Sequence, residues 1–121
     1  DFVPSRGLGD VYKRQGLSNH EAIAAAKSGI EGFARSAAAT YAKDNLRVNV
    51  IAPSIMDSNM SEKILSSEAA REVSKNMHPI SKIGDADDIL PVIKWLLSPD
   101  AKWVTGQTIH VDGGLSTVKP R

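Results

Sequence analysis

The chain has 121 residues, 41% of them apolar, with 15 basic and 14 acidic side chains and a formal charge of +1. That length allows one domain with a modest core, and the near-neutral balance gives no argument for nucleic acid or an anionic membrane as a partner. Cysteine is absent, which excludes a disulfide framework and a thiolate metal site, and no apolar run reaches the roughly 18–20 residues a membrane-crossing helix needs.

Residues 1–15 stand apart. Ser5-Arg6-Gly7-Leu8-Gly9-Asp10-Val11-Tyr12-Lys13-Arg14-Gln15 matches, codon by codon, a translation of the transposon adapter used to build sequencing libraries. The expectation is a non-native leader over 1–15, to be left out of fold reasoning, with residues 16–121 as the protein proper. Without the leader, acidic and basic residues balance at twelve each.

From Asn19 to Lys43 the sequence is rich in alanine and free of proline, which predicts a long helix. Ser18 or Asn19 supplies the N-cap, and Asp44-Asn45 ends the run. Ile23, Ala26, Ile30, Phe33, Ala37 and Tyr41 recur at three- and four-residue spacing as an apolar stripe. Ala25, Ser28, Gly29, Gly32, Ala38 and Ala39 leave a second side open to close approach. Arg47–Ala52, with Val48, Val50 and Ile51, reads as a buried parallel strand that stops before Pro53.

Residues 53–66 read as a loop with a short helix, and Ser67–Lys75 as a further helical stretch. Gly84-Asp85 opens a helix through Leu97, with Asp85 as the cap and Ile89, Ile93, Leu96 and Leu97 inward. Pro91 fits if the cap lies nearer Asp87, because the proline then falls in the first turn. Thr108–Val111 is a second strand, closed by a Gly113-Gly114 turn. His78 and His110 show no metal-ligand spacing and are assigned to element surfaces; Asp85, Asp87 and Asp88 favour a helix N-terminus.

Three blocks carry a family resemblance. They are Ala24-Ala25-Ala26-Lys27-Ser28-Gly29-Ile30-Glu31-Gly32, Leu46-Arg47-Val48-Asn49-Val50-Ile51-Ala52-Pro53, and Val104-Thr105-Gly106-Gln107-Thr108-Ile109-His110-Val111-Asp112-Gly113-Gly114. Together they resemble the C-terminal half of a short-chain dehydrogenase/reductase. The fold implied is α/β, the C-terminal portion of a doubly wound, Rossmann-like parallel sheet, present as two strands plus helices. The chain is expected to be a fragment: no G-x-x-x-G-x-G turn for a pyrophosphate occurs in it.

The resemblance also implies a site. Lys27 would hydrogen-bond the nicotinamide ribose hydroxyls and, in the family, lower the pKa of a catalytic tyrosine four residues earlier. That position is Ile23, and a hydrocarbon exchanges no proton. The family's substrate-orienting serine would fall at Asp10, inside the leader. His20 precedes Lys27 by two helical turns, the wider spacing of the enoyl-thioester reductases in this family, and is the candidate surrogate acid. Against these stand an exposed lysine with its ammonium in water and an exposed first-turn histidine.

Pro53-Ser54-Ile55-Met56-Asp57-Ser58 resembles the family's P-G-x-x-x-T segment, so Pro53, Ile55 and Ser58 are the cofactor-binding candidates. Ile55 would offer backbone to the carboxamide and Ser58 the hydroxyl; Ser54 replaces the glycine. The function implied is an NAD(P)-dependent oxidoreductase acting on a carbonyl or alcohol, inactive as this piece, with NAD or NADP as cofactor in the intact parent. The alternative is a non-catalytic member kept for cofactor binding or subunit assembly. The resemblance further implies a small-molecule substrate and a homo-oligomer through helix 19–43; with no secretory signal pattern and no spanning run, the expected location is cytoplasmic.

Overall fold

The computed structural model describes residues 21–120, the side chain of Met60 excepted. The leader expected over 1–15, the expected N-cap Ser18 or Asn19, and His20 therefore lie outside the described residues. Helix α1 spans Glu21–Tyr41 and tightens into a single 3-10 turn, Ala42–Asp44. Asn45 ends it in the left-handed region (φ 59°), with its N–H on the Ala42 carbonyl, as the Asp44-Asn45 stop predicts.

Strands β1 (Val50–Pro53) and β2 (Thr108–Val111) pair in parallel, Val50 opposite Thr108 and Pro53 opposite Val111. A parallel pair requires a long crossover. It is supplied by a 3-10 turn at Asn59–Ser61, helix α2 (Glu68–Met77), helix α3 (Ala86–Leu97) and a last 3-10 turn at Pro99–Ala101. The sheet is two strands wide among the described residues.

Strand β1 is shifted from the Arg47–Ala52 expected: it starts at Val50 and includes Pro53. The physical reason is that residues 47–49 spend side chains on the approach to β2. Arg47 Nη1 and Asn49 Nδ2 both donate to the Val104 carbonyl, Asn49 Oδ1 accepts from Gln107 N, and Val48 N donates to Thr105 Oγ1. Pro53 sits at the strand's last position, where its missing donor costs least.

The buried stripe of α1 also differs in phase. Lys27, Ala34 and Ala38 are its buried residues, with Ile23, Ile30 and Ala37 half-buried. Ala26, Tyr41 and above all Phe33, at 72% exposure, face outward. The inward face thus runs through Ile23, Lys27 and Ile30 to the small Ala34 and Ala38, and the alanines let that end of the helix lie close to the strands.

Helix α3 begins where predicted. Asp85 accepts from Asp87 N, and Asp88 reaches back to Asp85 N to complete a capping box. That cap corrects the expectation for Pro91, which falls inside the helix rather than in its first turn. Leu96 is buried, but Leu97 is 80% exposed rather than inward. Beyond β2, Gly113 and Gly114 both adopt positive φ (61° and 91°), and Asp112 accepts from Gly114 N and Ser116 N to hold that turn.

Candidate functional site

A Cβ added to Gly106 would stand 3.7 Å from the Ala38 Cβ, and Gly106 N donates to the Val48 carbonyl just before β1. The C-terminal end of α1 is therefore level with the start of the strand. Ile30 lines a groove together with Val50, Ile51 and Pro53, so α1 runs back along β1. Lys27 lies three residues nearer the N-terminus than Ile30 and is buried on the same helix. The structure thus sets the middle of α1 beside β1.

The Lys27 side chain is 2% exposed. That excludes the exposed-lysine alternative, since lysine is almost never buried without a specific role or partner. Ile23, one turn before it, is half-buried and apolar.

Segment 53–58 is held rigidly. Pro53, Ser54 and Ile55 are buried. Met56 bridges to Gly84 and Asp57 N donates to the Gly84 carbonyl at 2.8 Å, extending the segment beside residue 84 like a short strand. Ser61, fully buried, accepts from Ser58 N at 3.0 Å and donates its hydroxyl to the Met56 carbonyl. Ser58 is half-buried and opens onto a polar hollow of about 550 Å³ that includes Asn59, Glu62, Ser66 and Arg71.

An ion pair borders that hollow. Arg71 Nη2 donates to Asp57 Oδ2 at 2.8 Å, tying α2 to the loop. The bonded guanidinium holds the Asp57 carboxyl below the usual carboxylate range, and the carboxylate in return raises the already high pKa of Arg71. Both side chains are well exposed, so the pair steers more than it stabilises.

His78 is the residue whose place the sequence reading missed. It is 5% exposed, not on an element surface, with Nδ1 2.6 Å from the Ser74 carbonyl and Nε2 2.8 Å from Ser54 Oγ. His110 is half-buried on β2. Among the described residues no group of His, Asp and Glu could hold a metal ion, and no helix is long and apolar enough to cross a membrane.

The family model described as enoyl-(acyl carrier protein) reductase matches residues 8–116. The chain belongs to the short-chain dehydrogenase/reductase family. It is 35% identical over 108 residues to the 3-oxoacyl-(acyl-carrier-protein) reductase FabG of Pseudomonas aeruginosa, covering 89% of this chain and 43% of the relative. It is 31% identical to a tropinone reductase homolog of Arabidopsis thaliana, over 91% of this chain and 38% of that one. Among solved structures it is similar to a 4-hydroxyisoleucine dehydrogenase mutant complexed with NADH and succinate, with a TM-score of 0.79 at 25% identity over 98% of this chain and 46% of that chain. A 3-oxoacyl-(acyl-carrier protein) reductase from Brucella melitensis gives 0.71 at 31% identity, over 79% of this chain and 35% of that one. The chain spans less than half the length of these relatives.

For a short-chain dehydrogenase/reductase, the α/β class and the parallel β1–β2 pair are the expected fold. Of the motif departures expected from the sequence, Ile23 is half-buried on α1, Ser54 is buried and Ser58 is half-buried.

Proposed function

We propose that the intact protein is an NAD(P)-dependent oxidoreductase acting on a carbonyl or alcohol carbon, and that this chain contributes the nicotinamide half of its cofactor site. The observation that carries the reading is Lys27, buried to 2% exposure on α1, taken with the family-like segment 53–58 at the end of β1. The donor set fits a nicotinamide riboside: an ammonium for the ribose hydroxyls, the Ile55 backbone for the carboxamide, and the Ser58 hydroxyl for the carboxamide or a phosphate oxygen. Pro53 ends β1 and aims the segment. The fit is to that half alone, since no glycine-rich turn for the pyrophosphate occurs in the sequence.

The nicotinamide, when bound, supplies or accepts the hydride. Lys27 and Ser58 orient it, and the buried Ile55 keeps water from its edge. Ile23 neither gives nor takes a proton, so the substrate oxygen needs another group. His20, seven positions before Lys27 in the sequence, is our candidate. Exposed Phe33 and the open space beside Gly29 support self-association through α1. A cytoplasmic location completes the proposal.

Ile23 favours a second reading, in which cofactor binds without turnover. The experiment is a titration of the intact protein with NADH and NADPH, followed by assays on 3-oxoacyl and enoyl thioesters and on simple carbonyls and alcohols. Binding of one dinucleotide, weakened about tenfold or more by Lys27→Met, supports the cofactor site. No binding of either sinks it. Turnover lost in His20→Ala assigns the proton to His20, and binding without turnover on any substrate selects the second reading.

A further inference from the structure

Ser54 and His78 form a buried pair that the proposed chemistry leaves unused, at 3% and 5% exposure. His78 occupies the C-cap of α2, where its own N–H donates to the Lys75 carbonyl. Its Nδ1 lies 2.6 Å from the Ser74 carbonyl oxygen, which can only accept, so Nδ1 carries a proton. In the neutral ring Nε2 is then the acceptor, and Ser54 Oγ–H donates into it across 2.8 Å. A directed chain of hydrogen bonds runs from the end of β1 through the imidazole to α2.

This pair ties the upstream part of segment 53–58 to α2 by a side-chain hydrogen bond. The downstream part is fixed by Ser61 on Ser58 and Met56, and by Gly84 on Asp57. Upstream, Ser54 stands where the family motif has glycine, and its bond to His78 restrains the peptide leading into Ile55. Beside the pair lies a cavity of about 200 Å³ bordered by Lys82, Gly84, Asp88 and Gly113, so loss of the imidazole would open the Ser54 hydroxyl to water.

We propose that His78 is a positioning residue: through Ser54 it sets the orientation of the Ile55 backbone toward the nicotinamide end of the cofactor, without touching the cofactor itself. The proposal rests on the cofactor reading above. It predicts a defect confined to one end of the dinucleotide.

The test measures binding of NADH, NADPH and ADP-ribose, which lacks the nicotinamide ring, to the intact protein. His78→Ala weakens the preferred dinucleotide about tenfold and leaves ADP-ribose unchanged. Ser54→Ala reproduces that loss, the double variant is no worse than either single, and His78→Gln, whose Oε1 can accept from Ser54, recovers most of the affinity. Nitrogen NMR of the unsubstituted protein shows the His78 proton on Nδ1. Unchanged dinucleotide binding in His78→Ala, an equal loss for ADP-ribose, or a proton on Nε2 alone overturns the positioning role and leaves the cofactor reading standing. Failure of the unsubstituted protein to bind NADH or NADPH overturns both. Should His78→Ala not fold, Ser54→Ala, a loss of one oxygen, carries the same comparison.

Discussion

Arg47 closes the end of α3: its Nη2 donates to the Leu96 carbonyl oxygen at 2.5 Å, while Nη1 donates to the Val104 carbonyl at 3.1 Å. One planar cation thus satisfies an orphan carbonyl at a helix C-terminus and ties it to the approach to β2. Arg47→Ala is expected to cost about 2–3 kcal/mol, from two charge-assisted bonds in a part-buried setting. Urea unfolding checks it, with Arg47→Lys falling between because an ammonium cannot span both acceptors in the same plane.

The α3 cap gives a second prediction. Asp85→Ala removes the acceptor for Asp87 N and is expected to destabilise by about 1 kcal/mol. Asp85→Asn, which keeps an acceptor oxygen, should lose far less. Thermal midpoints of the two variants decide whether capping or charge matters here.

A pH dependence follows from the neighbouring pair. Lys82 Nζ lies 2.8 Å from Asp88, and that hydrogen bond, followed by the Asp85 backbone N–H, holds the Asp88 carboxyl below its ordinary value. A depressed folded pKa gives stability that is fully present above the unfolded value, about 3.9, and lost as pH falls through the lower folded value. Lys82 is raised by the same bond, so its contribution is present below about pH 10 and lost as pH rises through the folded pKa. Asp88→Asn should flatten both limbs in a thermal-midpoint series against pH.

Two glycine substitutions should move in opposite directions. A Cβ on Gly114, at φ 91°, would stand 3.2 Å from Pro79 Cγ, whereas one on Gly29 meets nothing within 4 Å. Gly114→Ala is expected to cost about 1–2 kcal/mol through backbone strain. Gly29→Ala should stabilise by up to about 1 kcal/mol, since alanine is the better helix former. Calorimetry of the pair tests whether the backbone at 113–114 is as restrained as its geometry implies.

Self-association through α1 is tested at Phe33, the large residue most exposed on that helix. Phe33→Glu should convert an oligomer to smaller species in sedimentation without changing helix content. An unsubstituted protein that sediments as a monomer would remove that part of the proposal.

Most of the architecture was legible because it is local. Asn45 stops α1, Asp85 and Asp88 cap α3, and β-branched Thr108–Val111 forms β2, each through chemistry within a few residues. The stripe of α1 was misjudged because its centre is a lysine. Tracing apolar residues alone follows the bulk of Phe33 and Tyr41, whereas Ile23, Lys27, Ile30, Ala34 and Ala38 are the face that turns inward. Strand β1 moved because Arg47 and Asn49 reach residues more than fifty positions away.

At the site, the sequence shows Lys27, Ile55 and Ser58 only by their family motif, and nothing local links Ser54 to His78. Their bond spans 24 positions. A proline following His78 marks the end of α2, but no spacing rule says which hydroxyl the imidazole meets. Tertiary closure decides that.

The parallel pairing of Val50 with Thr108 also governs how this molecule acquires its shape. Antiparallel neighbours zip from a turn, but these two strands meet only after everything between them has collapsed into place, and closing so long a chain loop is slow. Until then the β1 groups that pair with β2 are left to water. The kinetic vulnerability of the protein therefore lies in that interval, before the second strand arrives.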